Sequence, residues 1–519
     1  MHLPPTSNDG LQEQMMTPGT AETPRTTATT RIVSLARAAV PFVLFSLAGA
    51  SPVRAQAHEH GADMASLESR VDDLMAEYNR SDAPGAVIGV VHGGGLAFAK
   101  AYGMASLEHG TRLTPESVLD VGSVSKQMTT FAVVLLAQRG ELDIDADIRT
   151  YLPEVPDFGS TITVRHLVHH MSGLREIYNS ASLAGYQGGD GIAQEDALRL
   201  ITNMQDLNFE PGTEYLYNNT GYMLLADIVS RVSGMPFADF MEANVFRPLG
   251  MTSTTIMARR GQVIPAAAES YAPREEGGFQ RVFDNSGIQG AGGVYSTVGD
   301  LARWVTNYRT GEVGGMGVIE QMKQHGVLAS GDTLPYAFGI NVSEYRGLEA
   351  ISHTGSSAGY RASVIYFPDI DGGVIRQSNR SDFDSSIPGK VADLFFGDEM
   401  EAVPDRNDMP DDVDESDDES TVADQSGWTP SPAQLRQFEG RYFSPELETL
   451  YTLVVEDGAL IAKHRRHPDF ELEPTEPDTF EADNFFGTAR FERNRGAAVT
   501  GMRVSNGRVR NLLFERWEG

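Results

Sequence analysis

The chain has 519 residues, 40% of them hydrophobic, which is enough for two or three domains with sizeable cores. Its formal net charge of −31 argues against nucleic acids and anionic membrane surfaces as partners. The absence of cysteine excludes disulfides, catalytic thiolates and thiolate metal ligands.

The first 57 residues have the pattern of a secretory signal peptide. Basic residues precede an apolar run over residues 38–50, and Ala55-Gln56-Ala57 provides a cleavage site of the A-x-A type. The run is short for a membrane span and contains Pro41. We predict that residues 1–57 direct export, to the periplasm or outside the cell. Their removal would leave no integral membrane segment.

Residues 62–397 have the pattern of one α/β domain. Apolar runs with strand-like or helical spacing are separated by glycine-rich turns, as at Gly93-Gly94-Gly95. The predicted elements are strands at 86–91 and 96–102, helices at 123–140, 221–232 and 300–308, and strands at 336–342, 362–367 and 372–378. Early strands, central helices and late strands predict an α/β sandwich whose sheet takes strands from both ends of the domain.

Residues 398–430 are predicted to be an acidic linker. Ten acidic residues and one arginine lie between positions 405 and 424, where no apolar periodicity remains. Such a composition is typical of disordered segments. Because the segment offers no apolar surface, we expect the domains on either side of it to fold independently.

Residues 431–519 are predicted to form a small antiparallel β-barrel. Asp457-Gly458 and Asn506-Gly507 each separate two strand-like segments, which is a hairpin signal. No catalytic group of residues is visible in this part of the chain. We therefore expect the barrel to pack against, or restrict, a cleft in the first domain.

The tetrapeptide Ser123-Val124-Ser125-Lys126 opens the long apolar helix. Its spacing places a hydroxyl and an amine on one helical face. A serine hydroxyl is a weak nucleophile and needs a base, which a lysine can provide if burial makes its ammonium easier to deprotonate. On its own the pattern also fits a capping serine followed by a solvated lysine.

Two further motifs follow in a characteristic order, Tyr217-Asn218-Asn219 and His353-Thr354-Gly355. This order resembles that of the penicillin-recognising serine enzymes. The chain is similar to class C β-lactamases, D-alanyl-D-alanine carboxypeptidases, D-aminopeptidases and family VIII esterases over about residues 65–395. Further matching stretches are residues 140–145, 167–174, 209–212, 247–251 and 292–297.

The resemblance implies a β-lactamase-like sandwich, in which an antiparallel sheet is flanked by helices and joined to a helical region. For the C-terminal part it implies a lipocalin-like all-β barrel. It also implies that Ser123 is a nucleophile that forms an acyl-enzyme, with Lys126 and Tyr217 moving its proton. Asn219 would bind Lys126 or the substrate. The backbone amides of Ser123 and Ser357 would stabilise the oxyanion.

His353, Thr354 and Gly355 would bind substrate. Most β-lactamases and carboxypeptidases of this group have lysine at the position of His353, whereas histidine is charged only below a pKa of about 6.5. This difference favours amide or ester substrates over penicillins. An imidazolium at His353, or the guanidinium of Arg361, could still hold a substrate carboxylate.

Two other functions remain open. Gly355-Ser356-Ser357-Ala358-Gly359 matches the nucleophile elbow of α/β-hydrolases, but the residues after it are strand-like where the elbow requires a helix. The chain could also be a penicillin-binding sensor or scaffold without efficient turnover. The intact S-x-x-K and Y-x-N motifs argue against that role.

We expect no metal and no cofactor. His169 and His170 lack partners at metal-ligand spacing, and we interpret His170 and Ser172 as structural residues. The sequence thus predicts an exported serine hydrolase that acts on amide or ester bonds. Its substrate would be a small molecule or peptide of the β-lactam, D-amino-acid peptide or ester type. The oligomeric state stays open.

Overall fold

The computed structural model describes residues 53–187, 189–283, 285–402 and 428–518, with side chains from residue 64 onward. Most of the predicted signal peptide, residues 1–52, lies outside the described residues. So does most of the predicted acidic linker, residues 403–427. No helix among the described residues has the length and apolar character needed to cross a bilayer.

Eleven α-helices and twenty-one strands lie within the described ranges. The helices are α1 (Val53–Leu74), α2 (Ser125–Gln138), α3 (Val164–Val168), α4 (Ile177–Leu183), α5 (Gln194–Thr202), α6 (Asn219–Ser233), α7 (Phe237–Met241), α8 (Val298–Thr310), α9 (Met316–Met322), α10 (Ile387–Phe396) and α11 (Pro432–Leu435). The strands before the acidic segment are β1 (Ala86–His92), β2 (Gly95–Tyr102), β3 (Met104–Ser106), β4 (Thr111–Arg112), β5 (Leu119–Asp120), β6 (Thr255–Ile256), β7 (Tyr271–Pro273), β8 (Phe279–Arg281), β9 (Val294–Ser296), β10 (Asn341–Tyr345), β11 (Leu348–Ser357), β12 (Tyr360–Phe367) and β13 (Gly372–Ser378). Those after it are β14 (Gly440–Ser444), β15 (Thr449–Glu456), β16 (Ala459–Lys463), β17 (Phe470–Glu476), β18 (Thr479–Ala482), β19 (Gly487–Arg493), β20 (Val499–Asn506) and β21 (Val509–Trp517).

The main sheet has six antiparallel strands in the order β10-β11-β12-β13-β1-β2. Both of its faces are covered, because alternate residues of β1 enter different cores. Val87 and Val91 pack with side chains of α2, α6 and α8, whereas Ile88 and Val90 pack with α10 and the end of α1. The predicted α/β sandwich, with strands taken from both ends of the domain, is confirmed.

Most predicted elements appear with small shifts of their ends. The hairpin at the triple glycine is β1–β2, and α6 and α8 contain the two later predicted helices. The long apolar helix begins at Ser125, because Gly122–Val124 forms a tight 3₁₀ turn before it. Ser123 therefore lies in that turn and not in the α-helix itself.

The predicted strand at 336–342 is wrong over its first five residues. Tyr336 to Ile340 form a buried irregular segment, and β10 begins at Asn341. Gly339 has a φ of +73°, and a Cβ added there would lie 2.6 Å from the carbonyl oxygen of Lys126. The apolar side chains of this segment are buried because the segment packs against α2, and not because it pairs as a strand.

Residues 440–517 form a closed antiparallel barrel of eight strands. Each strand pairs with the next, and β14 pairs with β21 to complete the ring. The barrel and both of its predicted hairpins are confirmed. Because β14 pairs with β21, the backbone N–H and C=O groups of these two strands are hydrogen-bonded, and neither is left as an edge strand.

The barrel shares a core with the first domain, within one compact unit that begins at residue 62. Leu183 of α4 packs among the buried side chains of the barrel. The carbonyl oxygen of Leu183 accepts a 3.0 Å hydrogen bond from Tyr451 Oη of the barrel. Arg175 Nη1 lies 3.0 Å from Glu446 Oε2, with side-chain exposures of 0% and 5%. This interface differs from the expectation of two independently folding domains.

The ends of the predicted linker are also ordered. Met400 is 8% exposed and packs into the core beside α10. Trp428 packs against the barrel core, and its backbone N–H donates to the carbonyl of Thr475 over 3.2 Å. The described parts of the segment therefore differ from the predicted disorder, because each carries an apolar side chain that can be buried.

Candidate active site

Lys126 and Ser123 are in direct contact at the start of α2. Lys126 Nζ lies 2.9 Å from Ser123 Oγ, because the serine in the 3₁₀ turn and the lysine in the first helical turn share one face. The lysine is fully buried. Its ammonium also donates to Asn219 Oδ1 at 2.8 Å and to the carbonyl of Ala291 at 2.9 Å, and these contacts fix its direction.

The Tyr217-Asn218-Asn219 motif stands at the start of α6. Asn218 caps that helix, since its side chain accepts a 2.9 Å hydrogen bond from the backbone N–H of Gly221. The cap orients the residues on either side of it. The ring centroid of Tyr217 lies 4.7 Å from Lys126 Nζ, and Asn219 accepts a hydrogen bond from the same ammonium.

Glu176 fixes the orientation of the Asn219 amide. Asn219 Nδ2 donates a 2.8 Å hydrogen bond to Glu176 Oε1, which leaves Oδ1 directed at Lys126. The other carboxylate oxygen accepts from the backbone N–H of Asn179 at the start of α4. No sequence signal pointed to Glu176, because it belongs to none of the three motifs.

His170 packs behind Tyr217. The two ring centroids are 4.3 Å apart, and His170 Nδ1 accepts a 3.0 Å hydrogen bond from the backbone N–H of Asn218. Burial, with a smaller effect of the Lys126 charge, holds the pKa of the His170 imidazole well below its ordinary value. The ring is therefore neutral at neutral pH, and it supports Tyr217 from the side away from solvent. Its neighbour His169 packs edge-on against Phe338, and burial lowers its pKa to about 3.

His353 lies inside the protein and not on the cleft surface. It is 1% exposed, its Nε2 is 3.1 Å from Tyr336 Oη, and its Nδ1 is 2.5 Å from the carbonyl oxygen of Thr354. A carbonyl only accepts, so Nδ1 carries a hydrogen and donates it. Burial raises the pKa of the Tyr336 phenol well above its ordinary value, so that hydroxyl stays protonated. Both ring nitrogens are engaged within the protein, which differs from the expected contact with a substrate carboxylate.

Strand β11 runs directly against the turn that carries Ser123. A Cβ added to Gly355 would lie 2.0 Å from the carbonyl oxygen of Val121. A Cβ added to Gly122, whose φ is +52°, would lie 2.6 Å from the backbone nitrogen of Ser356. Only residues without a side chain allow the two backbones to approach so closely. Thr354 lies on the opposite, exposed face of the strand.

The contact between β11 and the turn forms one wall of a cleft of about 250 Å³. The cleft is lined by Gly122, Ser123, Tyr178, Asn219, Ser286, Ile288, Ala291, Gly292, Gly293, Ser356, Ser357 and Ala358. Ser123, Asn219 and Ser357 therefore reach the cleft surface, whereas Lys126 is buried behind Ser123. The G-x-S-x-G match lies at the turn between β11 and β12, a strand–turn–strand arrangement that does not form a nucleophile elbow.

Two arginines lie near this group of residues. Arg361 of β12 donates through Nη1 to the carbonyls of Tyr360 and Ala358, at 2.8 and 3.2 Å. Arg508 comes from the turn between β20 and β21 of the barrel, and its Cζ is 5.4 Å from the ring centroid of Tyr217. No sequence signal pointed to Arg508, since we expected no chemistry from the barrel.

Residues 67–393 match the model of the Beta-lactamase family. The chain belongs to this family. Over 333 residues this family member is 29% identical to penicillin-binding protein 4* of Bacillus subtilis strain 168, covering 60% of the chain and 72% of that protein. Over 303 residues it is 27% identical to the D-aminopeptidase of Gluconobacter oxydans strain 621H, covering 58% of the chain but only 56% of that enzyme.

The fold has solved counterparts. The octameric penicillin-binding protein homologue from Pyrococcus abyssi superimposes with a TM-score of 0.57 at 22% sequence identity. The match covers 87% of this Beta-lactamase family member and 100% of that chain. Family membership and fold together confirm the resemblance stated from the motifs, the β-lactamase-like sandwich and the class of serine hydrolases.

Proposed function

We propose that this family member is an exported serine hydrolase that forms an acyl-enzyme on Ser123. One observation carries the assignment: the 2.9 Å contact between Ser123 Oγ and the ammonium of a fully buried lysine. A solvated lysine after a capping serine would not have this geometry. The phenol of Tyr217 lies against the same ammonium.

The reaction has two steps, acylation of Ser123 and hydrolysis of the acyl-enzyme, and both use the same path for proton transfer. In the reactive state Lys126 has lost one ammonium proton. Ser123 Oγ then attacks the substrate carbonyl while its own proton passes to this neutral amine, beside the Tyr217 phenol. The backbone amides of Ser123 and Ser357 stabilise the oxyanion, and the leaving amine or alcohol takes up the proton. Water then attacks the acyl-enzyme along the same path and releases the acid. Asn219, held by Glu176, keeps the lysine aligned through both steps.

The structure favours open-chain amides and esters over penicillins as substrates. His353 is buried and engaged, so it does not supply the fixed surface cation that lysine supplies in most β-lactamases of this type. The name of the Gluconobacter relative, a D-aminopeptidase, points to amides of D-amino acids. The pattern of residues 1–57 supports export.

The assignment is tested by covalent labelling of the full chain with a fluorophosphonate probe. We expect a single adduct on the peptide that contains Ser123, and none in Ser123→Ala. The unlabelled protein should then turn over D-amino-acid p-nitroanilides and p-nitrophenyl esters. Equal labelling of Ser123→Ala would contradict the nucleophile. An adduct with a penicillin that never hydrolyses, together with no turnover of the amides and esters, would favour the penicillin-binding sensor.

The contact between Gly122 and β11 makes a second test possible. Gly122→Ala should push β11 away from the Ser123 turn and lower kcat by about 10²–10³-fold, the usual effect of losing one oxyanion donor. Gly140→Ala is the matched control, because Gly140 also has a positive φ, of +73°, but has no atom near its Cβ position. Equal activity of the two variants in ester hydrolysis would show that the approach of β11 does not matter for catalysis.

A further inference from the structure

The last hairpin of the barrel is attached to the active-site wall. The carbonyl oxygen of Arg508 accepts hydrogen bonds from the backbone N–H of Glu176 at 3.3 Å and from Asn208 Nδ2 at 2.9 Å. The backbone N–H of Arg510 donates to Asn208 Oδ1 at 2.8 Å. Contacts of the backbone therefore fix the position of Arg508 beside Tyr217. Its side chain is not needed to hold the turn in place.

The guanidinium of Arg508 has no acidic partner among the described residues. Its two neighbours in the same hairpin do have one: Arg510 pairs with Glu214 at 2.8 Å, and Arg503 pairs with Glu492 at 2.8 Å. Arg508 is also half-buried, where a lone charge is more costly than at the surface.

The other cations around the described part of the cleft are already occupied. Lys126 donates to Ser123, Asn219 and a backbone carbonyl. Arg361 donates to two backbone carbonyls, those of Ala358 in the turn after β11 and Tyr360 at the start of β12. His353 is buried. Of the two positions that the sequence predicted as a carboxylate anchor, His353 is buried and Arg361 is half-buried and bonded to the backbone.

There is also room for a substrate that extends toward the barrel. Gly507, the neighbour of Arg508, lines a second groove of about 520 Å³ between α4 and the barrel. Tyr178 lines both this groove and the catalytic cleft, so the two lie next to each other. A substrate longer than one residue could extend from the cleft toward Gly507 and the turn that carries Arg508.

We propose that Arg508, supplied by the barrel, binds a carboxylate of the substrate. The inference rests on the proposed hydrolase function and narrows its substrate class to peptides or amides that carry a free carboxylate beyond the scissile bond. A planar guanidinium can hold a carboxylate through two parallel hydrogen bonds, which fixes the substrate's orientation as well as its position. The barrel thus determines specificity, while Ser123 and Lys126 carry out the chemistry.

The test measures binding without turnover, in a Ser123→Ala background. N-acetyl-D-alanyl-D-alanine and its C-terminal amide are titrated by calorimetry; they differ in charge but hardly in shape. We expect the carboxylate to bind about ten- to hundred-fold more tightly, the range of a charge-assisted hydrogen bond. Adding Arg508→Gln should remove most of this preference, and Arg508→Lys should keep part of it. Arg510→Gln is the control, because Arg510 pairs with a half-exposed glutamate of the first domain.

Three outcomes would overturn the assignment of Arg508. They are equal affinity for the two ligands, no measurable binding of either, and loss of the preference in Arg361→Gln but not in Arg508→Gln. With Ser123 intact, Arg508→Gln should lower kcat/KM at least ten-fold more for a carboxylate-bearing D-peptide than for p-nitrophenyl acetate, since that neutral ester has no carboxylate to hold. An equally large loss for the ester would make Arg508 a positioning residue for Tyr217 instead. Fluorophosphonate labelling tests the acyl-enzyme separately, so the two proposals can fail independently.

Discussion

Lys126→Ala should lower kcat/KM for any substrate by about 10⁴-fold, the upper end of what a positioned general base contributes. The ammonium is the group closest to Ser123 Oγ, and it also holds Asn219 in place. Without it the hydroxyl loses the amine that contacts it at 2.9 Å and takes its proton. Steady-state ester hydrolysis and the rate of fluorophosphonate labelling should fall together.

Two comparisons make this result specific. Ser123→Ala/Lys126→Ala should be no slower than Ser123→Ala alone, because residues that act as one unit do not add. Lys323→Ala, which removes a partly exposed lysine paired with Glu349, should keep nearly full activity. If Lys126→Ala kept a tenth or more of the activity, the base would have to be sought elsewhere, first at Tyr217.

Glu446→Ala should lower the free energy of unfolding by about 3–5 kcal/mol, the usual result of removing one partner of a buried ion pair. Arg175 would stay in the interface without the carboxylate that pairs with it. Burial already raises the pKa of Glu446 and lowers that of Arg175, so each charge is tolerated there only because of the other. Urea denaturation at pH 7 measures the loss.

Glu492→Ala is the matched control within the barrel. Glu492 pairs with Arg503 near the surface, and such exposed pairs contribute less than about 1 kcal/mol. Replacing both Arg175 and Glu446 with apolar residues should recover much of the lost stability, since no unpaired charge then remains. Equal midpoints for Glu446→Ala and Glu492→Ala would show that the buried pair does not hold the two domains together.

The parts of this protein that sequence could predict are those with a local pattern. The S-x-x-K spacing brings Ser123 to Lys126 because three residues make almost one helical turn. The Y-x-N motif works in the same way, since one capping residue orients its two neighbours. Hairpin signals predicted the barrel because the turn residues lie next to one another in the chain.

The parts that could not be predicted depend on contacts between distant segments. Glu176, His170 and Arg508 approach the catalytic residues only after the chain has folded, and none of them has a neighbour pattern that reveals this. His353 was identified by its motif, but its burial depends on Tyr336 and on which face of β11 is covered. The shared core around Leu183 was missed because one leucine on a short helix gives no sign of what covers it.

Glu176 contacts both the catalytic residues and the barrel. The side chain of Glu176 accepts a hydrogen bond from Asn219, and its backbone N–H donates to the carbonyl of Arg508 in the barrel turn. Asn219 in turn accepts a hydrogen bond from Lys126. Only Glu176 and Asn219 therefore lie between the tail and the catalytic lysine in this series of hydrogen bonds. The tail is therefore not an interchangeable module. A chimera that carries the tail of another family member would have to bring matching residues for Glu176, Arg175 and Leu183 at once. In evolution, the tail and the wall of the cleft should therefore change together.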